Sequence, residues 1–283
     1  MPETRFDRVE NLFAVEHRAY RDSSSMAVNH YHNAYEVYYM LEGERYYFVK
    51  DRTYHIMEGD IVFIGINEIH RTVYSGSLHA ERILISLHPD YLEPLAKNIR
   101  DIDLFECFSR NIHVVRLAAN DQRYVENLLF RLKSEADSDK PGHETYTKIL
   151  LVELLLFLTR TVQKIKGPGH EHPSLIHKKI SEIVMDINDN FKEDITLSGL
   201  SGKYGISLYH LSRLFKKVTG FTFTEYLNIV RVRASQKLLT GTRMKVSRIA
   251  GETGFESITH FGRTFKAITG VSPMQYRKSN PLY

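Results

Sequence analysis

Histidines and one glutamate recur at short intervals in the first part of the chain. The order is His30, His32 and Glu36, and His70 follows further along. Imidazole and carboxylate groups can hold a divalent metal ion, and they can equally hydrogen-bond an organic ligand or pack against one another. Successive residues of a strand face opposite sides, so His30 and His32 would share a face. The pattern predicts a polar site on a strand, and the spacing alone leaves its chemistry open.

A second set of chemically active residues lies near the other end of the chain, in two similar stretches. "SLYHLSRLFKKVTG" covers residues 207–220, and "SITHFGRTFKAITG" covers residues 257–270. In each stretch one helical face is apolar, and the other carries Arg, Lys, His, Ser or Thr without any acid. A serine stands where each helix should begin and a glycine where it should end. The basic polar faces indicate contact with a polyanion.

The apolar positions of the two stretches correspond to each other. An amphipathic stripe usually packs into a core, and that interpretation accounts for these positions without any function. It does not explain why both helices carry a basic face without any acid. The stripes are Leu208, Leu211, Phe215 and Val218 in the first stretch, and Ile258, Phe261, Phe265 and Ile268 in the second.

Each stretch follows a shorter helical pattern and a glycine. Gly205 and Gly254 stand at the two turns, where glycine adopts positive φ at little cost. A short helix, a turn and a longer helix form a helix-turn-helix, the unit that places its second helix in the DNA major groove. Residues 223–241 predict a connecting helix of about 25 Å, which would set the two units about one DNA turn apart.

Charge and composition divide the chain in two. Residues 175–283 hold 17 Lys and Arg against 8 Asp and Glu, a net charge of +9, whereas residues 1–174 have a net charge of −5. Between them "KIKGPGHEHPS", residues 164–174, contains two Gly and two Pro and indicates a linker. We expect one domain at 1–165, a linker at 166–174 and a second domain at 175–283. Only the second should meet nucleic acid.

The first domain carries short segments rich in Tyr and Val, such as "EVYYML", "ERYYFVK" and "DIVFI", separated by turn signals. Several short strands at close spacing predict a sandwich or barrel. Residues 121–137 and 144–165 then predict two helices. The second is apolar on more than one face, so the barrel should cover one side and either a second copy of the chain or another part of the same chain the other. The predicted fold class is α+β with two domains, a β-barrel with dimerisation helices followed by an all-α domain.

The second domain resembles the DNA-binding domain of AraC/XylS-family transcription regulators. The resemblance covers residues 175–283 and is strongest in "GFESITHFGRTFKAITGVSPMQYRK", residues 254–278. It implies that the exposed residues of each second helix enter successive major grooves of an operator. Arg213 and Arg263 are the first candidates because Arg bonds guanine through two hydrogen bonds, whereas Gly262 can read no base. By position the implied base readers are Tyr209, Ser212, Arg213, Thr259, His260 and Arg263, His210 lies beside them, and Lys216, Lys217 and Lys266 suit phosphates.

The first domain resembles a cupin. Residues 30–43 match the first cupin motif, and "GDIVFIGINEIH", residues 59–70, matches an eroded second one with His70 in the place of its histidine. In this family such a domain senses a small molecule, often a sugar. We assign no metal and no other cofactor, and His30, His32, Glu36 and His70 are the candidates should a metal bind. The implied effector pocket is lined by His30, His32, Glu36, Tyr38, His70 and Arg82.

The resemblance implies a homodimeric, cytoplasmic regulator that binds a double-stranded DNA operator under the control of an effector, and meets RNA polymerase if it activates. The single cysteine, Cys107, excludes an internal disulfide framework and fits a reducing compartment. No apolar run has the length of a membrane span, and no nucleophile, phosphate-loop or nucleotide motif is present. We therefore expect that the protein is not an enzyme. The alternative is a metal-dependent cupin enzyme that carries a DNA-binding domain.

Overall fold

The computed structural model of this chain describes residues 5–7, 12–21, 30–75, 79–165 and 174–279, with the backbone alone at 5–7, 30 and 31. Strands fill most of the first part, and helices follow to the end. The strands are β1 (Arg5–Asp7), β2 (Phe13–Tyr20), β3 (His30–His32), β4 (Tyr35–Val49), β5 (Arg52–Met57), β6 (Asp60–Ile64), β7 (His70–Val73), β8 (Ala80–Leu87) and β9 (Val114–Arg116). The helices are α1 (Pro89–Ala96), α2 (Glu106–Ser109), α3 (Ala119–Ala136), α4 (His143–Lys164), α5 (Leu175–Asn190), α6 (Leu197–Tyr204), α7 (Leu208–Thr219), α8 (Phe223–Gly241), α9 (Val246–Glu252), α10 (Ile258–Thr269) and α11 (Pro273–Ser279).

The long strand β4 organises the sheet. Its first half pairs antiparallel with β6 and β8, and its second half pairs antiparallel with β5 and β7. β2 extends β8, β9 extends β6, and β3 extends β7. β1 pairs parallel with β3, and among the described strands β1, β2, β5 and β9 each have one neighbour, so the predicted barrel is an open one.

The bend of β4 depends on Gly43. The register with β8 shifts between Met40 and Glu42, and Gly43 has φ +83°. A Cβ at Gly43 would lie 2.3 Å from the carbonyl oxygen of His79. Glycine is therefore required twice, for its positive φ and for the close approach of the next strand.

The shift also changes which residues of β4 face the interior. Tyr38 before it and Tyr47 after it belong to one buried cluster, although their numbers differ in parity. Arg45 stands opposite Ile56 of that cluster, so it faces the same interior. The bulge thus brings Arg45 into the same interior as Tyr38 and Tyr47.

Two apolar cores lie outside the strands. One joins the outer face of β4, β6 and β8 to α3 and α4, through residues such as Val37, Ile85, Leu128 and Leu154. α4 buries one face there and leaves Ile149 on the other face exposed. The prediction that the barrel covers one side of this helix is confirmed by these contacts, and a second copy on the other side stays a prediction.

The second core joins the C-terminal helices. α6 with α7 and α9 with α10 form the two predicted helix-turn-helix units, and α8 packs between them. Gly205 and Gly254 have positive φ at the turns, and Gly220 and Gly270 have positive φ at the ends of α7 and α10. The two predicted capping serines differ, which the spacing did not indicate. Ser257 accepts a hydrogen bond from the amide of His260, whereas the Ser207 side chain forms no capping bond to α7.

The predicted α+β class is confirmed. α4 ends at Lys164 and α5 begins at Leu175, while residues 166–173, nearly all of the predicted linker, lie outside the described residues. The domain boundaries therefore stay predictions. None of the described helices is both long enough and apolar enough to cross a membrane.

Comparing Gly43→Ala with Gly142→Ala distinguishes the cost of positive φ at Gly43 from the cost of its close approach to His79. Both glycines have φ +83°, but a Cβ at Gly142 meets no atom within 4 Å. We expect Gly142→Ala to lower the free energy of unfolding by about 1 kcal/mol, and Gly43→Ala to lower it by about 3 kcal/mol or more, because only Gly43 also meets a backbone oxygen. Urea unfolding followed by circular dichroism measures both. Equal losses would show that β8 moves away without penalty.

Candidate functional site

Three titratable side chains from three strands meet in the interior. His32 comes from β3, Glu36 from β4 and His70 from β7, and all three are buried. The two Glu36 oxygens lie 3.0 Å from His32 Nε2 and 3.1 Å from His70 Nε2. Each Nδ1 lies against a backbone carbonyl, that of Ala34 at 3.0 Å and that of Glu68 at 2.8 Å. A carbonyl only accepts hydrogen bonds, so each Nδ1 donates and each Nε2 is directed at the carboxylate.

The cluster holds its carboxylate ionised. Burial alone would raise the pKa of Glu36, but the charges of His70 and His32 and their hydrogen bonds outweigh burial and hold that pKa well below its usual range. Ligand atoms of all three residues lie within 4.8 Å of one another, so the set has the composition of a metal site as well as that of an ion pair. The backbone of His30 pairs with that of His70, and the His30 side chain lies outside the described residues.

Aromatic rings connect this cluster to a second polar group. The Tyr47 ring lies 6.4 Å from the His70 ring and 5.1 Å from the Tyr38 ring, and the Arg82 guanidinium carbon lies 5.7 Å from the Tyr38 centroid. Tyr47 was not predicted as an interior residue, because the bulge between Met40 and Glu42 reverses the alternation of β4. The predicted effector residues that the structure brings together are His32, Glu36, Tyr38, His70 and Arg82.

Two buried arginines share one tyrosine at the other end of the interior. The guanidinium carbons of Arg45 and Arg82 lie 5.9 Å and 5.8 Å from the Tyr20 centroid. Arg82 donates from Nε to the Tyr20 hydroxyl at 3.1 Å and from Nη2 to Glu16 at 2.8 Å, and Arg45 donates to the Glu44 carbonyl at 3.0 Å. Tyr20 and Arg45 were not predicted, because the pairing of β2 with β8 and the bulge of β4 have no clear sequence signal.

The predicted DNA-contacting side chains all lie on the surface. They project from α7 and α10 opposite the faces that bury Phe215 and Phe265. Tyr209 is 73% exposed, and the Arg213 guanidinium carbon lies 5.6 Å from its ring centroid. The exposed set is Tyr209, His210, Ser212, Arg213, Lys216, Lys217, Thr259, His260, Arg263 and Lys266.

Leu208 and Ile258 were wrongly assigned to the core. They are 49% and 53% exposed, because they lie in the first turn of α7 and α10, beyond the edge of the packed core. They occupy the same position in the two units. An apolar side chain at the tip of a recognition helix can contact the methyl group of thymine. Both residues therefore join the candidate interface.

The outer face of β4 and β7 meets the first helix-turn-helix unit. Phe48 belongs to the core of the C-terminal helices, and its ring lies 6.3 Å from that of Tyr226 on α8. The Tyr226 hydroxyl lies 2.9 Å from the Lys50 carbonyl oxygen. Arg71 Nη1 donates to the carbonyl of Gly220, the residue that ends α7, at 2.7 Å. The contact thus reaches the end of a candidate recognition helix.

We expect Glu36→Gln to lower the free energy of unfolding at pH 7 by about 3 kcal/mol, since removing one partner of a buried ion pair leaves the other charges uncompensated. The pKa of Glu36 lies below its usual value of 4.5. Its stabilisation is therefore complete above pH 4.5 and is lost as the pH falls through the folded-state pKa. The difference between wild type and variant should shrink in acid.

Urea unfolding at a series of pH values measures this difference. Glu93→Gln is the matched control, because Glu93 pairs with Lys97 on the surface of α1 and should contribute little. If Glu36→Gln lowered the free energy of unfolding by the same amount down to strongly acidic pH, the charge of Glu36 would not stabilise the cluster.

Two family models match this chain. A family model described as AraC-like ligand binding domain matches residues 13–155, and one described as helix-turn-helix domain matches residues 200–279. An apo crystal structure of ToxT from Vibrio cholerae covers 96% of this chain and 99% of its own at 14% identity and a TM-score of 0.40.

Two curated relatives carry the name HTH-type transcriptional regulator, and both are called uncharacterized. One from Staphylococcus aureus is 27% identical over 251 residues, which are 88% of this chain and 32% of that protein, so the chain spans about a third of its length. YfiF of Bacillus subtilis is 26% identical over 253 residues, which are 88% of this chain and 78% of that protein. Because the ligand-binding model matches half of the chain and the helix-turn-helix model matches the paired units that follow, this chain belongs to the AraC family.

Proposed function

We propose that this chain regulates transcription by binding double-stranded operator DNA through α7 and α10, and that a small molecule inside the N-terminal strands changes this binding. One observation carries the proposal. His70 faces the interior cluster while its neighbour Arg71 reaches Gly220, and Tyr47 faces the interior while its neighbour Phe48 joins the helical core. The candidate pocket and the contact with α7 are therefore opposite faces of the same two strands.

Two recognition helices suit two major grooves. α8 has 19 residues and a length of about 28 Å, so it separates the units by roughly one DNA turn. Arg213 and Arg263 occupy matching positions on the exposed faces, where a guanidinium can bond guanine. The lysines Lys216, Lys217 and Lys266 lie further along the helices and suit phosphates, which fix position without reading sequence.

A sugar is the effector class that the family resemblance suggested. The buried His, Glu, Tyr and Arg groups offer donors and acceptors that converge in an aromatic interior, as expected for a polar organic ligand. Among these groups, both Glu36 oxygens lie against histidines, so we propose the tyrosines and Arg82 as the partners of the ligand.

The assembly and setting follow from the same proposal. Tyr124 and Phe130 on α3 and Tyr146 and Ile149 on α4 are exposed large side chains on two packed helices, and we propose that a second copy of the chain covers them. A cytoplasmic location and a contact with RNA polymerase, for an activator, follow from the proposed role in transcription.

A metal-dependent enzyme is the alternative. It would need a metal at His32, Glu36 and His70 with an open coordination position for substrate. The three side chains are buried, and both imidazoles already lie within hydrogen-bond distance of the carboxylate. The two relatives compared above are named as regulators. We therefore propose that the cluster forms a wall of the pocket and has no catalytic role.

Arg213→Ala and Arg263→Ala should each weaken binding to a selected operator by about 1–3 kcal/mol and relax base preference at one position. Selection of bound sites from a random DNA pool, followed by fluorescence anisotropy, measures both effects. Lys216→Ala is the control, because loss of a phosphate contact weakens specific and random DNA alike and lowers the salt dependence. An arginine variant that behaved like the lysine variant would contradict base reading at that arginine.

Arg71→Ala tests the connection between the domains. We expect it to tighten DNA binding of the effector-free chain about fivefold, because a hydrogen bond worth about 1 kcal/mol no longer restrains the end of α7. Anisotropy on full-length protein measures the affinity, and Arg110→Ala, in an exposed pair with Glu106, is the control. Unchanged affinity would contradict a role of this contact in regulation.

A further inference from the structure

Two arginine side chains are buried at the end of the interior opposite His70. Arg45 on β4 and Arg82 on β8 are 3% and 6% exposed. Both lie within 6 Å of the Tyr20 ring centroid, as does the exposed Arg18 at 5.1 Å, so three positive charges share one aromatic ring. A buried guanidinium requires negative charge and acceptors to compensate for the water that it has lost.

The compensation that Arg82 receives is partial. Its carboxylate partner, Glu16, has a side chain that is 46% exposed, and Glu16 is shared with Arg18 at 3.6 Å. Solvent therefore screens much of that charge. Glu36 is engaged by two histidines at the far side of Tyr47. The other glutamates of the neighbouring strands, Glu42, Glu44 and Glu81, pair with His79, His55 and His17 respectively.

Arg82 also has an unused donor. Nε and Nη2 have partners, whereas Nη1 is fully buried without a hydrogen-bond partner in the described part of the chain. The buried hydroxyl of Tyr47 likewise has none among the described residues. The Tyr38 ring lies between them, next to both. A buried donor without an acceptor is destabilising, so the hydrogen bonding of the interior is better satisfied when an acceptor enters it.

From these observations we infer that the effector is an organic anion whose carboxylate or phosphate group binds Arg82 through Nη1. The inference rests on the proposed function of this pocket and names its ligand class. Arg45 adds a second positive charge, and a guanidinium binds either oxyanion with strong, directed hydrogen bonds. The rings of Tyr38 and Tyr47 contact the carbon part of the ligand, and the Tyr47 hydroxyl donates to it. An acidic sugar satisfies both this inference and the family-based expectation.

The test uses the full-length chain and five probes. Acetate, inorganic phosphate and phenylacetate are the anions, sodium chloride at equal ionic strength is the salt control, and phenylacetamide is the neutral analogue of phenylacetate. Thermal unfolding and calorimetry should show that at least one anion stabilises the protein beyond sodium chloride, and that phenylacetate binds at least tenfold more tightly than its amide. If all three anions, each at 10 mM, gave the same unfolding temperature as sodium chloride, the inference would be overturned. It would also be overturned if phenylacetamide bound as tightly as phenylacetate.

Two variants with opposite expected effects locate the site. Arg82→Gln should weaken anion binding at least tenfold, and Glu16→Gln, which removes a competing carboxylate from a half-exposed position, should strengthen it at least threefold. Arg123→Gln, whose side chain bonds Asn120 on the surface of α3, should bind as wild type does. Anion binding that Arg213→Ala removes and Arg82→Gln leaves intact would place the anion on the DNA-binding face and overturn the inference.

DNA affinity measured with and without phenylacetate separates this inference from the proposed function. Binding that depends on Arg82 but leaves DNA affinity unchanged would support the anion site and contradict regulation through it. A neutral sugar that stabilised the chain and changed its DNA affinity, while no anion did either, would support regulation and overturn the anionic effector.

Discussion

Side chains of a β-strand alternate between its two faces, and in β4 and β7 this constraint sets most of what the molecule can do. β7 and the second half of β4 each have one face toward the polar interior and the other toward the C-terminal helices. A ligand that displaced the backbone at His70 or Tyr47 would also displace it at the neighbouring Arg71 or Phe48. No chain of intermediate side chains is needed, because only the thickness of the sheet separates the interior cluster from the contact with the C-terminal helices.

The interior contains more charge than stability requires. Buried ion pairs often stabilise no better than apolar residues of the same volume, since desolvation offsets the attraction between the charges. The two Glu36 oxygens lie within 3.1 Å of two imidazole nitrogens, whereas Arg82 Nη1 has no hydrogen-bond partner among the described residues. The first arrangement links three strands to one another. The second is the observation on which the proposed anion site rests.

The C-terminal half could be predicted in detail because helices have local sequence patterns. The apolar positions of α7 and α10 repeat with the helical period, and glycines mark both turns and both ends. Where the prediction was wrong, at Leu208 and Ile258, the period continued one turn beyond the edge of the core. That edge is set by tertiary packing, which no local pattern records. Ser207 occupies the N-cap position, but the spacing does not determine whether its hydroxyl turns toward the helix.

The N-terminal half was predictable only as a class of fold. Five of the predicted effector residues are buried in the interior, as alternation within single strands indicated. Arg45 and Tyr47 were missed because one bulge between Met40 and Glu42 reverses the alternation for the rest of β4. Tyr20 was missed because strand pairing between β2 and β8 joins residues far apart in sequence. Long-range register is decided by the packing of the whole sheet, so it has no signature in either strand alone.

The contact between the domains also limits how strongly a ligand can act. Its polar part includes the Arg71 bond to Gly220 and the approach of Tyr226 to Lys50. Phe48 packs against Tyr226, the Tyr46 ring lies 5.1 Å from that of His177, and α5 and α10 also contact β5 and β1. A contact of this size is worth a few kcal/mol, which matches the coupling of about 1–3 kcal/mol found for most allosteric proteins. Such a coupling changes DNA affinity by about 5- to 150-fold, and DNA must change ligand affinity by the same factor. A larger interface would bind the helices permanently to the sheet, and a smaller one would leave the pocket without influence on α7.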